Sequence, residues 1–333
     1  MFSTPSKNSS NTAGLLTKGE IEAWCVVYGV EGFLTVFGNL IAILVFLITP
    51  SLHKRTYYLL VSLAVADFLV GALPVPMFIY ALGASHNLWP KDTDIQEAQT
   101  IVEICVSYAS IYSLTAIAIE RMLAVAFPWK HSMENKSSYI AAIIITWLLS
   151  IFTASFVIFY RVNAQVQTGF FVTIMVLLGL CLMITLVCYI VISVKLLRHK
   201  EELSSLPNRE HRETQLAITL LLVSIVFLIT WLPFKVINYI YHFDPDHART
   251  LSYHYILATK FLHYFNSLVN PFIYAFRIPD FQRGLKNLFC CSGAGEPDPN
   301  KDANGAWHVK GVYGQETADN DHSMTTVSRA PNY

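Results

Sequence analysis

The sequence predicts an all-α membrane protein, a seven-transmembrane helix bundle closed by a short amphipathic eighth helix. Three observations carry that prediction. Hydrophobic residues make up 54% of the 333 and charged residues only 14%, with a mean hydropathy of +0.45, too apolar for a soluble domain of this length. Apolar runs at 23–48, 57–81, 98–126, 138–159, 169–197, 213–241 and 251–276 are each long enough to cross a bilayer, at ~20 residues per crossing. Basic residues alternate in side. Lys54, Arg55, Lys130, Lys136, Lys195, Arg198, Lys200, Arg209, Arg212, Arg283 and Lys286 fall in the first, third and fifth connections and after the last run. The other connections hold only Lys91, Arg161 and Arg249, which sets the N-terminus outside and the C-terminus in the cytosol. A net charge of zero argues against a nucleic-acid binder.

Residues 1–22 read as an extracellular tail. They are polar and lack the apolar core of a cleavable signal, so the first span starts insertion itself. On that side Asn8-Ser9-Ser10 is a glycosylation acceptor, whereas Asn135-Lys136-Ser137 faces the cytosol. The first span carries Glu31 and Gly38-Asn39, the second Asp67 within LAVADFLVG. A lone carboxylate inside a span marks a functional site or a satisfied packing network. In the third span, steps of seven and eleven residues keep Glu103, Ser110 and Arg121 on one helix face over roughly 27 Å. One rod thus holds an acid near one interface, a hydroxyl at mid-depth and Glu120-Arg121 at the other, a face that other helices must cover.

The fourth span offers Trp147 and reads as packing. The short connection RVNAQVQT leads to a fifth span free of charge up to Lys195, and the mixed charges of residues 195–212 extend the flanking helices. In the sixth span Phe227, Trp231 and Lys235 recur every four residues, with Pro233 set to kink the helix. In the seventh, Lys260, Ser267 and Tyr274 share a stripe with His263, Tyr264, Asn266 and Asn270 beside it, and Pro271 interrupts the ladder. So polar a face must look into the bundle. FRIPDFQRGLKNLFCC then alternates basic and apolar residues as an interfacial helix does. Cys290 and Cys291 at its end are S-acylation candidates or cysteines without a role. The helical core is thus 23–290, and residues 291–333, rich in Gly, Asp, Asn, Ser and Thr, read as a disordered cytoplasmic tail. None of the six cysteines lies in a loop where an extracellular disulfide would form.

Over residues 23–290 the chain resembles the rhodopsin-like (class A) G-protein-coupled receptors. The matching pieces are Gly38-Asn39, LAVADFLVG around Asp67, Glu120-Arg121-Met122 in place of Asp-Arg-Tyr, Trp147, FLITWLPF around Trp231 and Pro233, and NPFIY ending at Tyr274. The resemblance implies a non-enzymatic plasma-membrane receptor that promotes GDP release from a heterotrimeric G protein, with receptor kinases and arrestin as further partners. It calls for no obligatory cofactor. It does imply a sodium ion in the resting state at Asp67, Ser110, Asn266, Ser267 and Asn270, an oxygen-bearing set that suits a hard cation. It also implies a latch in which Arg121 pairs with Glu120 and Glu213. On activation the sixth helix would swing about Pro233, with Phe227, Trp231 and Pro271 as parts of the switch, and Tyr189 and Tyr274 turning inward.

Two departures narrow the likeness. Gln96 stands where most of the family has an extracellular cysteine, and Cys181 where the fifth helix usually has proline. Both are similar to the melanocortin, cannabinoid and lysophospholipid receptor group, although Asn270 differs from the melanocortin aspartate. By the resemblance the ligand cavity is bounded by Glu103, Lys235, Asn238, Lys260 and Tyr264. Glu103 matches the acid with which amine receptors hold an ammonium, so a cationic ligand is one expectation. Lys235 and Lys260 make an anionic, lipid or peptide ligand a second, and an internal Glu103–Lys260 bridge needs no ligand. A retinal-linked photoreceptor is a further alternative, weakened because Lys260 lies a turn from the matching position, Tyr264. An ion or proton transporter is another, without visible inverted repeats.

Overall fold

The computed structural model describes residues 16–53, 55–127, 135–160, 164–198 and 208–289, with side chains placed in these ranges except at 157–160, 164–167, 196–198, 208–217 and 220. Ten α-helices follow one another among them: α1 Lys18–Ile48, α2 Tyr57–Ala72, α3 Pro74–Ser85, α4 Thr93–Ala126, α5 Lys136–Tyr160, α6 Ala164–Arg198, α7 Asn208–Phe243, α8 Pro245–Ala248, α9 Tyr253–Arg277 and α10 Pro279–Phe289. The seven crossings are α1, the α2–α3 pair, α4, α5, α6, α7 and α9. Asn8, Cys290 and Cys291 lie outside the described residues, and Glu213 outside the described side chains.

Several helices run past their apolar runs because capping chemistry, not hydropathy, sets their ends. Thr17 accepts from the Glu20 amide at 3.3 Å while Glu20 accepts from the Thr17 amide at 2.7 Å, so α1 starts at Lys18 rather than 23. Asp92 accepts from the Asp94 and Ile95 amides and starts α4 at Thr93. The RVNAQVQT segment, expected as a connection, is helical from Ala164. The second crossing, expected as one span, is two helices. Pro74 opens α3, and Leu73 before it leaves helical geometry at φ −120° and ψ −70°, as the residue preceding a proline is pressed to do.

Six of the crossings are long and apolar enough to span a bilayer by length and composition. The seventh, α9, is too polar for that measure, yet it buries Lys260, His263, Asn266, Ser267, Asn270 and Tyr274 inside the bundle. Helix α4 is the central post, packed by α2, α3, α5, α6 and α7, while α9 lies against α7, α1 and α2. Apolar side chains such as Val26, Phe33, Ile144 and Ile229 point outward, the arrangement that lipid solvation requires. Close approach of α1 and α2 needs small residues: a Cβ on Gly71 would stand 2.9 Å from the Gly32 carbonyl oxygen. The strongly amphipathic α10 docks on α1 and α9, with Phe281 between Phe46 and Tyr274.

Candidate functional site

At the outer end of α4, Glu103 forms an ion pair with Lys260 of α9. Its Oε1 also lies 3.4 Å from His263 Nε2, and Gln99 donates to its Oε2 from one turn away on α4. The Lys260 ammonium is enclosed by aromatic rings, 4.4 Å from the centroid of Phe234, 4.8 Å from Tyr264 and 5.2 Å from Phe78. These faces attract a cation electrostatically. Lys235 takes a different place, over the Trp231 ring at 4.5 Å, and no ion pair joins it to a carboxylate of the described residues. Asn238 donates to the Phe234 carbonyl at 3.0 Å. Lys260, His263 and Tyr264 form a buried floor, while Gln99, Lys235 and Asn238 are only partly buried.

The five expected cavity residues are therefore divided. Glu103, Lys260 and Tyr264 meet, whereas Lys235 and Asn238 stand on the α7 side. His263 joins the two groups, stacked on Phe234 at 4.8 Å and edge-on to Trp231 at 4.5 Å. Neither His263 nor Gln99 was among the expected cavity residues. The signal was spacing: Gln99 is four residues before Glu103, and His263 three after Lys260, each on its partner's helix face.

At mid-depth, Asp67 is fully buried and accepts three hydrogen bonds. Ser110 and Ser267 hydroxyls donate to its Oδ1 at 3.1 and 2.8 Å, and Asn270 Nδ2 donates to its Oδ2 at 2.6 Å. Asn39 ties α1 to this layer by donating to the Ser267 carbonyl at 2.9 Å, and it also donates to the Thr35 carbonyl one turn back on its own helix at 2.9 Å. Asn266 Oδ1 and Asn39 Oδ1 are buried without a hydrogen-bond partner among the described residues. A negative carboxylate, hydroxyls with spare lone pairs and orphaned amide oxygens fit a hard monovalent cation. Asn270 departs from the expectation in one respect, since it turns its N–H toward the acid and so steadies the carboxylate.

At the inner end, Arg121 is fully buried and grips Glu120 with two donors, Nε and Nη2. Its Nη2 also donates to Thr56 Oγ1 at 2.7 Å, and Thr56 and Tyr139 donate to Glu120 Oε1 at 3.0 and 3.2 Å. A bidentate guanidinium–carboxylate contact with two hydroxyl donors is a fixed clasp of α4 to α5 and to Thr56, the residue that precedes α2 in the connection from α1. Thr56 and Tyr139 were not expected there, because a hydroxyl near a helix end has no periodicity to betray it. Above the clasp, Tyr189 accepts from Ser224 at 3.3 Å. The Tyr274 hydroxyl is buried with no hydrogen-bond partner among the described residues, and Phe227 stacks on Trp231 at 5.0 Å. Pro233 and Pro271 sit inside α7 and α9 as expected.

The family model described as "7 transmembrane receptor (rhodopsin family)" matches residues 38–274. Adenosine receptor A3 of Ovis aries is 29% identical over 304 residues, covering 81% of this chain and 91% of that protein. Substance-K receptor of Homo sapiens is 27% identical over 312 residues, covering 85% and 77%, and somatostatin receptor type 1 of Rattus norvegicus 25% over 310, covering 86% and 77%. Among solved structures, squid rhodopsin superimposes with a TM-score of 0.72 over 83% of this chain and 89% of that one, at 19% identity. That last likeness is one of fold.

Proposed function

The chain belongs to the rhodopsin family of seven-transmembrane receptors, and from that premise we propose how its buried polar column works. It is a multi-pass membrane protein and a ligand-activated G-protein-coupled receptor. The receptors named above take their names from adenosine, substance K and somatostatin. Three such different namesakes pass no single ligand on to this chain.

The observation that carries the reading is that one helix, α4, bears three polar stations in line: Glu103 with Lys260 at the outer end, Ser110 at Asp67, and Glu120-Arg121 at the inner face. A ligand in the outer cleft, bounded by Glu103, Lys235, Asn238, Lys260 and Tyr264, acts only through its preference for one of two bundle states. The resting state keeps Arg121 clasped. In the active state α7 swings about Pro233, Trp231 and Phe227 repack, and Tyr189 and Tyr274 approach the vacated Arg121. The opened inner face then receives the G protein. Glu213, on the same helix as Trp231, adds a second carboxylate for Arg121 at rest.

Asp67, Ser110, Ser267 and Asn266 would hold a sodium ion, whose positive charge would favour the resting arrangement, while Asn270 keeps the carboxylate aimed. The receptor sits in the plasma membrane with its N-terminus and Asn8 outside, as the asymmetry of basic residues supports. Cys290 and Cys291, acylated, anchor the end of α10, and receptor kinases and arrestin act on the cytosolic segment 291–333.

The test is nucleotide exchange on a panel of heterotrimeric G proteins by the full chain in nanodiscs. Wild type is expected to accelerate exchange above empty discs, and Arg121→Ala to reduce it at least tenfold while leaving the thermal melt cooperative. Equal exchange by the variant removes Arg121 from the switch.

A further inference from the structure

Three charged groups gather at the outer end of the bundle, Glu103 with Lys260 and Lys235 over Trp231, and their balance is uneven. Glu103 contributes one negative charge, which is already committed to Lys260 and His263. Lys235 contributes a second positive charge. Its ammonium rests on Trp231, with no carboxylate among the described residues paired to it. The quadrupole of one ring offsets only part of the desolvation of an ammonium. A buried or half-buried charge of this kind calls for a counter-charge, and the protein wall around it offers rings instead: Trp231, and Phe234 behind Lys260.

The same arrangement opposes a cationic ligand. To reach Glu103 an ammonium must displace Lys260 and leave that ammonium on its aromatic floor, 3% exposed and without an acid, with Lys235 a further like charge beside the cleft. By contrast an anion reaches Lys235 without breaking any ion pair. Asn238, one turn outward on α7 and partly buried, has its N–H turned to the Phe234 carbonyl and so offers no bar to that approach.

We propose that the outer cleft is selective for a compact organic anion, whose carboxylate, phosphate or sulfate group is bound by Lys235, and that it rejects cationic amines. The inference rests on the cleft being the receptor's ligand site, and it adds the chemical class. It also supplies a link to the switch: an anion that draws the Lys235 ammonium to itself takes it off Trp231, the ring stacked on Phe227.

The experiment is a thermal-melt and tryptophan-fluorescence titration of the full chain in nanodiscs with three probes sharing one body, 3-phenylpropionate, 3-phenylpropylamine and 3-phenylpropanol, plus phenyl phosphate, phenyl sulfate and chloride alone. The variants are Lys235→Gln and Lys235→Arg. The expected result is a rise in melting midpoint and a change in tryptophan emission with at least one of the organic anions and not with the amine. That response should weaken at least tenfold in K235Q and persist in K235R. Stabilisation by the amine, an anion response that survives K235Q, or no response to any organic anion overturns the proposal. A response to chloride alone that organic anions do not compete with overturns it too, since the occupant is then inorganic. Binding is read here without a G protein, so loss of nucleotide exchange in wild type counts against the receptor reading and not against the anion.

Discussion

Glu103 holds together charges that neither water nor lipid can reach easily, and the cost of removing it follows from what stays behind. In Glu103→Gln the Lys260 ammonium keeps its ring contacts but loses its carboxylate, and breaking one side of a buried pair costs about 3–5 kcal/mol. Glu103→Gln combined with Lys260→Met removes both charges and should recover at least half of that loss. A double-mutant cycle on melting midpoints in nanodiscs, with Lys260→Met as the other single variant, checks this; a loss in the double variant equal to the sum of the two single losses would show the pair to be energetically idle. Both partners were legible as charges on inward stripes, and an internal bridge was one of the open alternatives. Which alternative holds depends on side-chain reach across two helices, which periodicity does not encode. The clasp at Arg121 shows the same divide: Glu120 is its sequence neighbour, whereas Thr56 comes from a connection 65 residues away and carries no pattern that links it.

At the scale of elements, hydropathy reads only the part of a helix that meets hydrocarbon. The long apolar runs marked the crossings, α9 also by its inward polar stripe, but misplaced helix ends, since Thr17 and Asp92 cap helices that run past those apolar runs. The Thr17-to-Glu20 spacing is a capping box visible in the sequence, and Pro74 inside the second apolar run marked its break. What no single segment reveals is how near two segments lie. Gly71 and Gly32 bring α1 and α2 into backbone contact, so Gly71→Val must push a side chain against a carbonyl that can move only with its helix. Overpacking of this sort costs about 1–3 kcal/mol. The expected outcome is a lower melting midpoint for Gly71→Val, with Gly29→Val, where an added Cβ meets nothing within 4 Å, close to wild type. Equal effects at the two glycines would mean the close approach is not what selects glycine at 71.

For the whole molecule, the question is whether the outer cleft, the Asp67 layer and the Arg121 clasp change state together. They share α4, and α9 touches two of them through Lys260 and through Ser267 and Asn270. A cation bound at Asp67 only at rest must, by linkage, oppose whatever the G protein favours, and such couplings are typically about 1–3 kcal/mol, or roughly 5–150-fold. Replacing N-methylglucamine chloride with sodium chloride at constant ionic strength should therefore lower ligand-independent nucleotide exchange by about tenfold and raise the melting midpoint of the free receptor, since a ligand of the resting state stabilises it by mass action. Asp67→Asn keeps the shape of the side chain but removes the negative charge, so both sodium effects should vanish together. If exchange loses its sodium dependence while the melt keeps it, the ion binds elsewhere and the Asp67 layer is a packing network of serine and asparagine donors. If both persist, the carboxylate is not what holds the ion. Joint loss is the result that a single coupled column requires, because independent stations would have no reason to report one substitution at the inner face and in global stability alike.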